Sequence, residues 1–219
     1  MTDAIVLAAG ESIRFGAANK LLTNVYSKPL ILHVINVICK SEIENIYVIS
    51  GSDHKKINEI LNKSRVKVIK NNNRNDGINS SISFGIKNLD KRSSSVMICL
   101  ADMPLLRTED YNSILNFEKN KGNASSIIVP FNDGRRGNPV IFGRHFYNEL
   151  LLLKGDEGGK KIIDKNKMNV LKFSSKSKVR TFSHKKFFSS TSTTKSLFTF
   201  NFFLSCGTSS IIFFFSLYL

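Results

Sequence analysis

The chain has 219 residues, a net charge of +15 and three scattered cysteines, Cys39, Cys99 and Cys206. This length suits one α/β domain, and the odd, unpaired cysteines argue against a disulfide framework and favour a reducing compartment. The basic residues form no dense run beside aromatic side chains, so the charge favours small polyanionic ligands over nucleic acid, and the absence of a signal pattern predicts a cytoplasmic protein.

Short apolar runs alternate with longer amphipathic segments up to residue 173. The apolar runs predict strands at 4–7, 45–49, 66–69, 96–100, 126–131 and 139–142. The segments between them predict helices at 29–39, 54–62, 80–88, 108–120 and 144–152. This alternation predicts βαβ units and a three-layer, Rossmann-like α/β fold with a mainly parallel sheet. Ligands of such sheets bind at the carboxyl ends of the strands.

The first predicted strand opens into a loop of small residues, the Gly10 loop (residues 8–16), which contains Arg14 and is followed by a second cation, Lys20. Small side chains let the backbone amides face a ligand, and exposed amides with two cations are features of a polyphosphate site. The spacing is not that of a P-loop, because five residues separate Gly10 from Gly16. It is not a dinucleotide fingerprint either, because Ser12 stands where a glycine is needed.

The pattern that remains is Leu-Ala-Ala-Gly-x-Ser-x-Arg-Phe-Gly-x-x-x-Lys. It resembles the signature loop of nucleotidyltransferases that join a nucleoside triphosphate to a phosphorylated acceptor. The Ala-Ala-Gly form, with Ser12 and Phe15, is most similar to the molybdenum cofactor cytidylyltransferase family of the MobA-like NTP transferases. The resemblance implies a nucleotidyltransferase fold in which Arg14 and Lys20 are catalytic. The nucleotide-binding residues that it implies in the loop are Leu7, Ala8, Ala9, Gly10 and Ser12.

A second segment follows the third predicted strand. Gly77 permits a tight turn there, and Ser80 can cap the next helix. The family has a Gly-Met-x-x-Ser-Ile/Leu segment at this point that helps to hold the base and the ribose. The resemblance therefore assigns Gly77 and Ser81 to nucleotide binding, with Ile78 in the methionine position.

The fourth predicted strand ends at Asp102-Met103-Pro104. A carboxylate at the carboxyl end of a strand, beside a triphosphate, is a natural Mg²⁺ ligand because hard cations prefer oxygen donors. Asp-Met-Pro closely resembles the metal-binding motif of the transferase family. Asp102 is therefore assigned as catalytic and as the metal ligand, with Mg²⁺ as the cofactor.

Two later segments resemble the part of the family that binds the acceptor. Residues 136–142 resemble Arg-Gly-His/Asn-Pro-Val-Leu-Phe, which assigns Arg136 and Asn138 to the acceptor. Residues 155–160 resemble Gly-Asp-x-Gly-Ala-Arg, which adds Asp156 and Lys160. Lys160 replaces an arginine, so the charge is kept but bidentate binding of a phosphate is lost.

The resemblance covers residues 3 to about 173 and implies the transfer of CMP from CTP to the phosphate of molybdopterin or molybdenum cofactor, with release of pyrophosphate. It also implies a molybdoenzyme or a maturation chaperone as a protein partner. The alternatives are a transferase of the same fold that uses GTP on molybdopterin, or CTP or another triphosphate on a sugar or polyol phosphate. A non-catalytic nucleotide-binding protein is a further alternative.

Residues 174–219 differ from the rest of the chain and form a predicted second, divergent region. They contain six Lys or Arg, no Asp or Glu, and 10 of the 17 phenylalanines. The family closes with a segment like Asp-Ile-Asp-Thr-Pro-Glu-Asp that completes the metal site, and nothing here matches it. Asp156 and Asp164 are candidates to replace its carboxylate. The last apolar run has nine residues, well short of the ~20 that span a bilayer, so a membrane role is not favoured.

Overall fold

The computed structural model describes residues 1–10, 19–72, 77–132, 134–156 and 158–174, and it is built around a mixed β-sheet. The strands are β1 (Thr2–Ala8), β2 (Asn24–Val25), β3 (Lys28–Pro29), β4 (Ile46–Ser50), β5 (Lys67–Lys70), β6 (Ser95–Leu100), β7 (Ile127–Asn132), β8 (Arg135–Arg136), β9 (Val140–Gly143) and β10 (Val170–Phe173). The α-helices are α1 (Leu30–Cys39), α2 (His54–Leu61), α3 (Ile78–Lys87), α4 (Thr108–Lys121), α5 (Tyr147–Leu151) and α6 (Lys160–Lys165). Short 3₁₀ helices cover Lys20–Leu22, Arg144–Phe146 and Lys167–Asn169.

The main sheet has the strand order β10-β7-β9-β6-β1-β4-β5, with β8 paired to β7 beside this path. β1 lies parallel between β6 and β4, β5 lies parallel to β4, and β10 lies parallel to β7. β9 runs antiparallel to both of its neighbours, β6 and β7. The sheet is therefore mainly parallel, as the alternation of strands and helices predicts.

The direction of strand addition reverses beside β1. The chain passes from β1 to β4 and then to β5, and it returns through α3 to place β6 on the other side of β1. In open α/β sheets a crevice forms at the carboxyl ends of the strands where the order reverses in this way, and ligands bind in it. The topology therefore predicts a ligand site at the carboxyl ends of β1 and β6.

The central strands form near-continuous apolar runs because helices cover the sheet. Every residue of β4 and β6 is buried, and so is β1 from its second residue onward. α3 packs closely on β1, since a Cβ added at Gly85 would lie 2.7 Å from Cδ1 of Ile5. α1 lies beside α4, where the hydroxyl of Thr108 donates a hydrogen bond of 3.1 Å to the carbonyl oxygen of Val37.

Several short elements were not predicted. The helix expected at 144–152 is divided into a 3₁₀ turn, Arg144–Phe146, and the short helix α5. α6, β10, β8 and the small antiparallel hairpin of β2 and β3 were missed, because two to six residues are too few to display a clear hydrophobic period. The domain boundary at residue 173 stays a prediction, since residues 175–219 lie outside the described residues.

Candidate functional site

The carboxyl ends of β1 and β6 lie side by side. Leu7 of β1 and Leu100 of β6 are register partners, and the amide of Ala101 donates a hydrogen bond of 3.2 Å to the carbonyl oxygen of Leu7. The chain that leaves β1 toward Gly10 therefore starts next to the chain that leaves β6 toward Asp102. The topology, the Gly10 loop and the Asp-Met-Pro motif therefore all indicate a ligand site at the same edge of the sheet.

Lys20 and Asp102 meet at this edge. The ammonium Nζ of Lys20 lies 2.5 Å from Oδ2 of Asp102, and the two side chains are 26% and 9% exposed. The pair is 82 residues apart in sequence, so the fold alone joins them. A cation suited to phosphate oxygens and a carboxylate suited to a divalent cation therefore share one place.

Local hydrogen bonds hold the backbone around Lys20 in place. The side chain of Asn19 caps the 3₁₀ turn Lys20–Leu22, its Oδ1 accepting a hydrogen bond of 3.0 Å from the amide of Leu21. The Nδ2 of Asn19 donates 2.9 Å to Oδ2 of Asp53, which follows β4 at the same edge of the sheet. The sequence reading missed Asn19 and Asp53, although the position of Asp53 after a predicted strand could have indicated it.

The structure describes only part of the Gly10 loop. Leu7 and Ala8 are buried in β1, Ala9 is half-buried and Gly10 is exposed. Ser12 and Arg14, which the sequence assigns to the nucleotide and to catalysis, lie outside the described residues. Their roles stay predictions.

The second predicted nucleotide segment begins α3. Gly77 stands at the N-cap position with φ of +81°, and Ser81 is buried with its hydroxyl accepting a hydrogen bond of 3.1 Å from Nδ2 of Asn71. Asn71 also donates 3.0 Å to the hydroxyl of Ser80. Asn71 directly follows β5, so it orders this segment from the carboxyl end of a further strand.

The expectation that Ser80 caps this helix is wrong. Ser80 lies inside the first turn of α3 and donates a hydrogen bond of 2.8 Å to the carbonyl oxygen of Gly77. The first helical amide, that of Ile78, instead donates 3.0 Å to Oδ1 of Asp156. A residue 78 positions away in the chain supplies the cap, and no local pattern could have indicated it.

The residues assigned to the acceptor are divided between two places. Asp156 lies at the N-terminus of α3, and Lys160 is the exposed first residue of α6. Arg136 lies on β8, where its Nη2 is 2.6 Å from Oδ1 of Asp164 on α6. The hydrogen bond from Arg136 holds the pKa of Asp164 below its ordinary value. Asp164 thus pairs with Arg136, whereas the sequence pattern made it a candidate to replace the missing carboxylate of the metal site.

Asn138 follows Arg136 closely in sequence. Its Oδ1 is buried and forms no hydrogen bond among the described residues. A buried amide oxygen without a donor carries a desolvation cost, and a ligand with an N–H or O–H group would remove it.

A cavity of about 610 Å³ lies beside the first turns of α3. The residues that line it are polar or small for the most part: Asn71, Gly77, Ser80, Ser83, Phe84, Lys87, Leu153, Lys154, Gly155 and Asp156. Ser80, Phe84 and Lys87 recur at helical spacing along one side of α3. This cavity includes one of the two predicted base-binding residues, Gly77.

Two negative findings apply to the described ranges only. No cluster of three or more His, Cys, Asp or Glu side chains is arranged there to bind a metal ion. Within the same ranges, no helix has the length and apolar character needed to cross a bilayer.

Comparison with known sequences decides the family. Residues 4–170 match the MobA-like NTP transferase domain. The chain belongs to this family. The match spans the loop after β1, Asp102 and the acceptor segments, and it confirms the predicted class of enzyme, a nucleotidyltransferase domain. The narrower resemblance to molybdenum cofactor cytidylyltransferases is not decided by the match.

The individual curated relatives share only about a quarter of their aligned residues with this chain. The bifunctional protein GlmU of Pediococcus pentosaceus is 26% identical over 149 residues, which are 68% of this chain and 31% of GlmU. GlmU of Clostridium tetani is 27% identical over 142 residues, 64% of this chain and 30% of the relative. The chain thus spans about a third of the length of the curated relatives it matches.

Solved structures confirm the fold class of this MobA-like domain. Rv0371c of Mycobacterium tuberculosis superposes with a TM-score of 0.68 at 22% identity, covering 80% of this chain and 87% of that one. A complex of Rv0371c with manganese superposes at a TM-score of 0.65 and 20% identity, over 80% and 88% of the two chains. The 4-diphosphocytidyl-2C-methyl-D-erythritol synthase of Anaerococcus prevotii superposes at 0.62 and 14% identity, over 84% and 91%. At sequence identities of 14–22%, the structural similarity shows that these proteins share a fold.

Proposed function

We propose that this MobA-like domain transfers CMP from CTP to the phosphate of a molybdopterin-type acceptor and releases pyrophosphate. One observation carries the proposal: Lys20 and Asp102 meet at the carboxyl edge, where the strand order reverses beside the Gly10 loop. Nucleotidyl transfer needs a cation for the phosphates and an oxygen ligand for a metal at one place. The pair supplies both.

The nucleotide would bind across the carboxyl ends of β1 and β5. Its phosphates would face the amides that follow Ala8 and the ammonium of Lys20, with Arg14 as the second predicted cation. Gly77 and Ser81 would contact the base and ribose. Asn71 supports this assignment because its amide orders the Ser81 hydroxyl from the end of β5.

Asp102 fits a divalent cation. Magnesium sites in nucleotide enzymes commonly use one or two carboxylates together with substrate phosphates and water, and Asp102 is a buried carboxylate with an ammonium at one oxygen. Asp102 would hold Mg²⁺, and the ion would supply positive charge that offsets the negative charge of the phosphates. The manganese complex of Rv0371c is consistent with a divalent ion on this fold.

The reaction proceeds by one displacement. An oxygen of the acceptor phosphate attacks the α-phosphorus of CTP in line with the bond to the β-phosphate. That P–O bond breaks, its electron pair goes to pyrophosphate, and a new phosphoanhydride joins CMP to the acceptor. Lys20 stabilises the charge on the phosphate oxygens, and Asp102 holds the ammonium of Lys20 in place. Positioning and electrostatic stabilisation suffice, so no protein nucleophile is required.

The acceptor would bind on the side of the sheet that carries β8 and α6. Arg136 is 31% exposed and can offer a forked contact to a phosphate while Asp164 orients it. Lys160 adds a point charge at the start of α6, and the buried Oδ1 of Asn138, which forms no hydrogen bond with the described residues, offers an acceptor for a ligand donor. These contacts suit a phosphorylated molecule with polar ring or amide groups.

A second acceptor class has its own support. The structural relative from Anaerococcus prevotii is named for a cytidyl product of methylerythritol, which favours CTP with a polyol phosphate as the runner-up. GTP on molybdopterin is a weaker alternative, because the Ala-Ala-Gly loop differs from the glycine-rich form of that branch.

Thermal shift with CTP, GTP and ATP, each with Mg²⁺ or Mn²⁺, tests the nucleotide. A ligand at 100 times its Kd stabilises by about 2.7 kcal/mol, which is readily measured. We expect a shift selective for CTP that is reduced in D102A. A shift selective for GTP, or none with any nucleotide in a folded sample, contradicts the proposal. Pyrophosphate release in the presence of molybdopterin or of methylerythritol phosphate then separates the two acceptor classes.

A further inference from the structure

The segment that ends at Asp156 is fastened to the start of α3. Oδ1 of Asp156 accepts a hydrogen bond of 3.0 Å from the amide of Ile78. The carbonyl oxygens of Gly155 and Lys154 accept from Asn79, at 3.3 Å from its amide and 2.7 Å from its Nδ2. Asn79 is fully buried. The first turn of α3 is therefore held by a loop that is remote in sequence.

The contact is close enough to restrict the residue at position 77. A Cβ added to Gly77 would lie 2.0 Å from Oδ1 of Asp156 and 2.7 Å from the carbonyl oxygen of Gly155. The φ of +81° at Gly77 is also unfavourable for other residues. Glycine is thus required here by the backbone angle and by the approach of Asp156.

The same turn carries the proposed nucleotide contacts. Ser80 bonds to the carbonyl oxygen of Gly77, and Asn71 bonds to the hydroxyls of Ser80 and Ser81. A continuous chain of hydrogen bonds therefore joins Asp156 to Ser81 through the backbone of the first turn. A carboxylate at a helix N-terminus also interacts favourably with the helix dipole.

We infer that Asp156 is a positioning residue for the nucleotide site: it caps α3 and fixes the turn from Gly77 to Ser81 that contacts the base and ribose. This inference rests on the proposed function and changes the role that the sequence suggests for Asp156, which is contact with the acceptor. The loop that ends at Asp156 and the turn from Gly77 to Ser81 are therefore joined by hydrogen bonds into one unit. Binding at either is expected to order the other.

Three variants test the inference. D156A removes the cap, whereas D156N keeps an Oδ1 that can accept from the amide of Ile78. D90A is the matched control, since Asp90 also accepts a backbone hydrogen bond, from the amide of Arg92, on an exposed loop outside the site. Two readouts are needed: CTP affinity by calorimetry with Mg²⁺, and hydrogen exchange at the amides of residues 78 and 79.

We expect D156A to weaken CTP binding about fivefold, which corresponds to the loss of a helix cap, and to speed exchange at residues 78 and 79. D156N is expected to stay within twofold of the wild type in both readouts, as is D90A. The inference is overturned if D156A leaves both unchanged. It is also overturned if D156N binds CTP as weakly as D156A while its exchange at residues 78 and 79 stays as slow as in the wild type, which would show that the charge itself contacts a ligand.

Amide exchange separates this inference from the proposed function. If the wild type binds no nucleotide, the proposed function fails, and exchange at residues 78 and 79 still decides whether Asp156 holds the turn. Steady-state kinetics add a third readout. A positioning role raises the KM for CTP in D156A, whereas a rise confined to the KM of the acceptor in both variants would contradict it.

Discussion

Replacing Asp102 by asparagine separates the charge of this residue from its shape. The side chain keeps its size and one oxygen near Nζ of Lys20, but it loses the negative charge that a divalent cation and the lysine both require. We expect kcat/KM for pyrophosphate release to fall at least about 100-fold, the usual effect of removing one electrostatic contact from a transfer site.

The expected cost in stability is small and follows from the geometry. A hydrogen bond to a charged partner contributes about 1.5–3 kcal/mol and a neutral one about 0.5–1.5 kcal/mol. Asp102 is 9% exposed, but Lys20 is 26% exposed and can reorient toward water. The free energy of unfolding should therefore fall by only about 1 kcal/mol in D102N.

The assay pairs urea unfolding with pyrophosphate release over a range of Mg²⁺ and Mn²⁺ concentrations. D53N is the matched control, because Asp53 lies at the same edge and its asparagine still accepts from Asn19. We expect D53N to keep activity within about threefold. The reasoning is refuted if D102N also remains within threefold of the wild type while the protein is folded.

Three further results are expected. G77A should lower the free energy of unfolding by about 1–3 kcal/mol, since its φ is +81° and its Cβ would lie 2.0 Å from Asp156; urea unfolding measures this. Arg136 lowers the pKa of Asp164, so their ion pair stabilises the fold above the unfolded pKa of about 4 and is lost as pH falls through the folded pKa. D164N should therefore lower the free energy of unfolding by less than about 1 kcal/mol at pH 7, since both partners are partly exposed, and by progressively less as the pH falls below about 4. Burial raises the pKa of Cys99, so mass spectrometry should find it unlabelled by thiol reagents at pH 8 until urea unfolds the chain.

Each of these results has a control. G10A adds a Cβ that meets no atom of the described residues within 4 Å, so its stability should stay within about 0.5 kcal/mol of the wild type. A G77A variant equally stable would contradict the close approach of Asp156. A stability difference between D164N and the wild type that does not decrease as the pH falls would show that the ion pair is not its cause. Labelling of Cys99 in the native state would contradict its burial.

The elements that build the sheet were predictable from local pattern. β1, β4 and β6 are almost entirely buried, and a strand buried on both faces is apolar over most of its length. The alternation with helices then implied parallel pairing, and the strand order confirms it. The short elements near residues 160–173 escaped prediction because their few residues pack at an edge and show no full period.

The candidate site was predictable only in part. Asp102 and the Gly10 loop could be placed at the carboxyl edge, since parallel strands end on the same side of a sheet. Their partners could not be placed. The contact of Asn71 with Ser81 and the cap that Asp156 provides depend on the paths of loops, which carry no periodic signal.

The sequence by itself determined the family, the parallel sheet and the kind of chemistry, because each depends on residue types within a short stretch of chain. Only the tertiary structure decided which charges meet: Lys20 with Asp102 across 82 residues, and Arg136 with Asp164. Ion pairs and caps act over a few ångströms. The strand order and the paths of the loops decide which residues become partners, and no local sequence pattern encodes either of them.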